Sequence, residues 1–294
     1  MKISAAFNQY WSGLCVGMLL LLLASCTKSD TLGETVMRSN LSEKIILDTA
    51  YGEDDLQKLD IYLPAGRTEA TGLVVLLHGD AWHGGDKSNL NNFIKLFRAK
   101  WPDVAIANIN YRDATGDSIT YSELIADVEI AINMLAAGKS AFNISNNIAL
   151  WGVSAGAHLA MQYTYTKNDS GYVKCVADVY GPAIINDWDF YNITEPVKGK
   201  DLLWHLSGSR WNEELYKALS PIENATAASK PTIIFHGNLD AVVPVYHSQR
   251  LKKKLDEAGV PNEYHEYTDF HGFNDINIDD CVNKSILFFK KHLK

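Results

Sequence analysis

The sequence predicts an α/β fold: a mostly parallel, doubly wound sheet of about eight strands carrying a cap insertion. Three observations lead there. Strand-length runs such as Leu73 to Leu77 are apolar at every position, as a strand buried on both faces requires. Apolar stripes at helical spacing alternate with those runs. Between one such run and one such stripe stands Gly152-Val153-Ser154-Ala155-Gly156.

The elements follow in order. Leu14 to Ala24 is an almost unbroken apolar run behind Lys2. It is shorter than the roughly 20 residues a membrane-spanning helix needs, and suits the core of a signal peptide. Leu23-Ala24-Ser25-Cys26 then resembles the bacterial lipobox, in which the cysteine is lipidated and becomes the first mature residue. This divides the chain into a signal peptide (1–25), a polar tether (26–42) and a catalytic domain (43–294), exported and lipid-anchored at Cys26 in a bacterial envelope. A plain secretory signal cut at a small-residue site is the alternative. Cys15 leaves with the signal, so Cys175 and Cys281 remain, and both read as packed thiols rather than a disulfide framework.

Lys44 to Asp48 and Lys58 to Leu63 read as an antiparallel hairpin across the polar turn Gly52 to Asp55. Further strands are predicted over Val104 to Ile109, Asn147 to Trp151, Val173 to Val179, Pro231 to Phe235 and Asn262 to Tyr267. Helices are predicted over Ser88 to Lys100, Tyr121 to Ala137, Ala155 to Thr166, Tyr246 to Ala258 and Asp279 to Lys291. Residues 182–230 lack clean strand periodicity and read as the cap. Their aromatics Trp188, Phe190, Tyr191, Trp204, Trp211 and Tyr216 either line a substrate pocket or pack the cap itself.

The formal net charge of -8 argues against a general nucleic-acid binder, which would show a basic stripe. Lys252, Lys253 and Lys254 sit in a helical pattern and read as a solvated face. No CxxC or His/Cys cluster has metal-ligand spacing, and the chemistry below requires no cofactor.

A strand, a sharp Gly-x-Ser-x-Gly turn and a helix make the setting of a nucleophile elbow, with Ser154 standing clear of the sheet. A serine nucleophile needs a base, and the base an orienting acid, in the chain order Ser, acid, His. Asp240 follows the strand ending before His236-Gly237, and His271 follows the strand ending near Tyr267. His236 reads as a local structural group, His265 as a strand residue, His247 as a helix start, and His292 as an exposed C-terminal residue. Asp269 is the competing acid. The loop Leu77-His78-Gly79-Asp80-Ala81-Trp82, closed by Gly84-Gly85-Asp86-Lys87, can aim backbone N–H groups, with that of Ala155, at one oxygen.

Taken together, His78-Gly79-Asp80-Ala81-Trp82, Gly85-Asp86-Lys87, Asn110-Tyr111-Arg112, Gly152 to Ala160, and Asp240 with Val243-Pro244 resemble the α/β-hydrolase esterases. The nearest groups are the hormone-sensitive-lipase-like and bacterial feruloyl/acetyl-esterase-like families, including kynurenine formamidase-like enzymes. The resemblance spans roughly Glu43 to Lys294. It implies oxyanion donors at Asp80, Ala81 and Ala155, and a structural Arg112–Asp127 pair. His158 reads as a packed helix residue. Where Asp80 stands the family usually has glycine, and a carboxylate beside a developing oxyanion is unfavourable unless it points away.

The expected activity is a serine esterase forming an acyl-enzyme from short-chain esters, with acetyl or feruloyl groups on carbohydrates as first substrates. An arylformamidase- or peptidase-like amide hydrolase and a catalytically weak binding lipoprotein are the alternatives.

Overall fold

In the computed structural model, which describes residues 38–192 and 201–294, the strands are β1 (Lys44–Ala50), β2 (Lys58–Leu63), β3 (Leu73–Leu77), β4 (Ala105–Ile109), β5 (Ile148–Val153), β6 (Val173–Val179), β7 (Thr232–Gly237) and β8 (Asn262–Tyr267). They form one sheet in the order β1-β2-β4-β3-β5-β6-β7-β8. β1 and β2 pair antiparallel, as do β2 and β4, and every other neighbouring pair is parallel. The predicted α/β-hydrolase sheet is therefore observed. The signal peptide, Cys15, Cys26 and most of the tether lie outside the described residues, as do cap residues 193–200.

Strict alternation along the central strands sorts side chains between two cores. Leu73, Val75 and Leu77 of β3 join Ile148 and Leu150 of β5 on one face. Val74, Leu76, Ala149 and Trp151 join the other. The first face is covered by α2 (Tyr121–Ala137), which the short α3 (Lys139–Phe142) follows, by α4 (Ala155–Thr166) and by α8 (Tyr246–Glu257). The second is covered by α1 (Asn91–Lys100) and α9 (Asp275–His292). Both remaining cysteines are buried free thiols, as expected, Cys175 within β6 and Cys281 on α9.

Several boundaries move for local reasons. The predicted helix from Ser88 begins as a 3-10 turn, Lys87–Leu90, capped by the Asp86 carboxylate accepting the Ser88 N–H. α9 starts at Asp275 rather than Asp279, because the Asn274 side chain caps the N–H groups of Ile276 and Asn277. That first turn carries no apolar signal facing the core, since Ile276 is 81% exposed. β7 runs through His236 to Gly237, so His236 is a strand residue. His292 is not exposed but half-buried, with its ring 4.4 Å from that of Phe288.

Between β6 and β7 the described residues form short helices: 188–192, α5 (Asp201–Ser207), α6 (Glu213–Ala218) and α7 (Pro221–Asn224). Of the two roles open to the cap aromatics, packing is the one observed. Trp211 meets Trp188, Tyr191 and Tyr216 edge-on or inclined, Phe190 packs on His247, and Trp204 lies over Gly116.

Candidate active site

In this connectivity β4 and β5 flank β3 on opposite sides, so the chain direction reverses there and leaves a crevice beyond the carboxyl ends of the strands. The loops after β3, β5, β7 and β8 all open into that region. Ser154 directly follows β5, with φ 51° and ψ -120°, a strained conformation for any residue but glycine. The turn is possible only with glycine on either side. A Cβ on Gly152 would sit 2.4 Å from the Gly156 carbonyl oxygen, and one on Gly156 would sit 2.2 Å from that of His78. α4 therefore begins directly against the end of β3. Its first N–H groups, led by Ala155, have no acceptor within the helix and carry its positive dipole end.

Ser154 Oγ lies 2.9 Å from His271 Nε2. His271 Nδ1 in turn lies 2.7 Å from Asp240 Oδ2. A carboxylate can only accept, so Nδ1 carries the proton and Nε2 is left to accept from the serine hydroxyl. The other oxygen, Asp240 Oδ1, accepts the backbone N–H groups of Val242 and Val243 at 2.8 and 2.9 Å. Burial alone would raise this carboxyl, but the His236 and His271 rings and the Val243 N–H outweigh it and hold Asp240 well below the usual carboxylate range. Tyr180 packs edge-on against the His271 ring, centroids 4.9 Å apart.

The competing acid has another task. Asp269 Oδ2 accepts from the Asn274 backbone and from the Asn274 and Asn277 amides, stapling the histidine loop to the start of α9. Of the other histidines, His265 lies in β8 and stacks on Phe235. His247 is buried on α8, where Nδ1 accepts the Ile184 N–H.

The loop after β3 passes over the serine: a Cβ on Gly79 would be 3.2 Å from Ser154 Cβ. Three successive non-glycine residues here have positive φ, Asp80 at 81°, Ala81 at 57° and Trp82 at 64°. Such a stretch survives only if its surroundings over-determine it. Tyr111 donates to the His78 carbonyl at 2.7 Å and stacks on the His78 ring. Asp86 accepts from Ser88 and Asn110, and those donors outweigh burial to bring it down to about 2. Lys87 is clamped between Asp48 and Asp60, each at 2.9 Å. Trp82 is tied through its indole to His158. Asp80 is exposed, and its carboxylate lies against Gly84, 3.1 Å from where a Cβ there would stand.

The Arg112–Asp127 pairing is present, with the Nε and Nη2 groups of one guanidinium edge donating to the fully buried carboxylate and Gln57 as an additional donor. It anchors the segment after β4 to α2, away from the cleft. The cleft has a volume of about 370 Å³. Gly79, Ala81, Ser154 and His271 form its base, Leu90, Phe93, Tyr180, Leu202 and Val242 its apolar walls, and Asp80 and Asn89 its polar edge. Of the described cap residues, Leu202 alone lines it. Among the described residues no group of three His, Cys, Asp or Glu side chains is arranged to hold a metal. An imidazole accepting from a hydroxyl beside a cluster of backbone N–H donors can generate an alkoxide and shelter the oxyanion formed when it adds to a carbonyl.

Sequence reasoning missed the neighbours of Asp240. His236 lies within 3.3 Å of Asp240 Oδ2, and Ser248 lies behind His236. The only available signal was the position of His236 at the end of the strand that delivers the acid.

The chain is similar in sequence and fold to known proteins. A family model described as BD-FAE matches residues 59–255. Esterase LipC of Mycobacterium tuberculosis is 27% identical over 221 residues, covering 70% of this chain and 53% of that protein. Isoprenylcysteine alpha-carbonyl methylesterase ICME of Arabidopsis thaliana is 25% identical over 240 residues, covering 76% of this chain and 55% of that protein. The chain thus spans about half the length of these two relatives. Among solved structures, a truncated carbohydrate esterase from gut microbiota superposes with a TM-score of 0.70 at 22% identity, covering 88% of this chain and 98% of that one.

Proposed function

The chain belongs to the BD-FAE family, and from that premise we propose that it is a serine esterase acting through an acyl-enzyme. The observation that carries this reading is the unbroken relay from Ser154 through His271 to Asp240. Ser154 Oγ adds to the ester carbonyl carbon as its proton passes to His271 Nε2. Asp240 keeps the imidazole in the productive tautomer and stabilises the imidazolium. The N–H groups of Ala155, Ala81 and Asp80 receive the oxyanion. Collapse breaks the bond to the alcohol, which leaves with the proton from His271. Water, activated by the same imidazole, then releases the acid and restores Ser154.

The cleft favours a small acyl group against Leu90, Phe93 and Leu202, with the alcohol towards the polar edge. Short acyl esters of carbohydrates suit that division, in line with the carbohydrate esterase that shares the fold. The test compares wild type with Ser154→Ala on aryl esters from acetate to decanoate and on acetylated xylan. Activity confined to wild type and greatest for short acyl chains is expected. Equal rates for the two proteins would remove Ser154 from the mechanism.

We also propose, from Leu23-Ala24-Ser25-Cys26, that the exported chain is lipid-anchored at Cys26. Expression with a radiolabelled fatty acid should label wild type and not Cys26→Ala. An unlabelled wild type would leave the plain secretory signal in its place.

A further inference from the structure

Asp240 has an imidazole on either side. On the open side is His271; on the buried side is His236, at the end of β7 and inaccessible to solvent. His236 Nε2 lies 2.8 Å from the Val243 carbonyl oxygen and 3.3 Å from Asp240 Oδ2. Both partners only accept, so Nε2 carries the proton. Nδ1, 2.6 Å from Ser248 Oγ, therefore accepts the serine hydroxyl proton. The order Ser248–His236–Asp240 thus repeats, in reverse and wholly buried, the order Asp240–His271–Ser154.

The connections close a ring. Val243 gives its N–H to Asp240 Oδ1 and receives the His236 N–H on its carbonyl, while His236 also borders Oδ2. Rotation of the Asp240 carboxylate would break contacts at both oxygens. Ser248 stands on α8, so packing of this helix against β7 fixes the His236 tautomer. Among the described residues, Asp178 on β6, His247 on α8 and Glu266 on β8 also lie within electrostatic reach of His236, and Tyr180 packs on the His271 ring.

We propose that His236, oriented by Ser248, is a positioning residue that aims Asp240 at His271 and, by sharing Oδ2, sets the basicity of His271. The proposal rests on the triad reading above. With the His236 N–H gone, the charge on Oδ2 falls wholly on His271, whose imidazolium is then held more tightly. The acid limb of the kcat/KM profile then moves to higher pH.

The test uses His236→Leu, the conservative His236→Gln, and Ser248→Ala in the otherwise unchanged chain. The pKa of the His271 imidazole is read by NMR, which does not depend on activity, alongside kcat/KM against pH. His236→Leu should raise the His271 pKa and the acid limb together, and lower kcat/KM about 10- to 100-fold through misdirection of the base. His236→Gln, which retains an N–H donor, should recover most of both. Ser248→Ala should shift both in the same direction by less, and it serves if His236→Leu does not fold. A His271 pKa unmoved in Ser248→Ala and in every folded His236 variant would overturn the proposal. A shifted pKa in a protein with no esterase activity would instead overturn the function and leave the positioning role standing.

Discussion

The indole N–H of Trp82 donates to Nδ1 of His158 across 3.1 Å, and the His158 Nε2–H donates to the Leu219 carbonyl at 2.8 Å. One buried imidazole on α4 therefore joins the strained loop after β3 to the cap. Burial, opposed only partly by the Leu219 contact, brings His158 down to about 4, so it is neutral and able to accept from Trp82 across the working pH range.

Trp82→Phe keeps the ring and removes that tie. With its third positive-φ residue released, the loop should no longer present its N–H groups at one point. A fall in kcat of about 10- to 100-fold with KM little changed is expected, because such donors act mainly on the transition state. Steady-state kinetics on a phenyl acetate would check it. A rise in KM alone would instead make Trp82 part of substrate binding.

Gly156→Ala tests the elbow. Its Cβ would fall 2.2 Å from the His78 carbonyl oxygen and 2.3 Å from that of Leu77, both backbone atoms at the end of β3. Neither can move without displacing the strand. Urea denaturation should show a loss of about 3 kcal/mol or more, at the upper end for overpacking. A midpoint equal to wild type would mean that α4 can shift away from β3.

The fold was legible because its central strands are apolar at every position, which leaves β3 and β5 little alternative. The elbow was legible because Gly152 and Gly156 flank Ser154 at the one place where a strand pattern gives way to a helical one. Asp240 and His271 were read from chain order together with their places just after two predicted strands. His236 was not legible, because its role comes from α8 bringing Ser248 to it, a contact no local pattern encodes. The cap aromatics were ambiguous because a Trp or Tyr that packs on another aromatic has the same composition as one facing a ligand. The start of α9 was hidden because its cap is a polar side chain and its first apolar residue faces solvent.

Asp178 gives a pH signature to stability. It is fully buried on β6, where Oδ1 accepts the Gly181 N–H and Oδ2 has no partner. Burial, only partly offset by His236 and that N–H, pushes the carboxyl up to about 7. A raised carboxyl stabilises the fold fully below the unfolded value near 3.9 and loses that contribution as pH rises towards 7. Asp178→Asn carries no charge at any pH. Thermal melts should show it level with wild type below about pH 4, the gap opening between pH 4 and 7, and about 2–6 °C more stable at pH 8. A difference independent of pH would show that Asp178 is already ionised in the folded protein.

Leu202 on α5 projects into the cleft from the cap. Leu202→Ala removes apolar wall and lengthens the space open to an acyl chain. The acyl preference should move from acetate towards butyrate and hexanoate, each added methylene gaining up to ~0.8 kcal/mol of burial. Leu202→Trp should narrow the preference to acetate. An unchanged profile in both would place the acyl group away from Leu202.

Asp80 separates two effects that one substitution would confound. Its φ of 81° is readily reached by glycine and tolerated by asparagine, while its carboxylate adds negative charge beside the site of the oxyanion. Asp80→Asn removes the charge and keeps a residue suited to that backbone; Asp80→Gly removes both the charge and the strain. If charge is what matters, both variants should hydrolyse neutral short-chain esters faster, by about 2- to 10-fold in kcat at low salt. That gain should shrink as ionic strength rises, because an exposed carboxylate is screened. If strain matters instead, only Asp80→Gly should differ from wild type, and equally at every salt concentration. Wild-type rates in both variants would mean that the position of the carboxylate over Gly84 already spares the oxyanion.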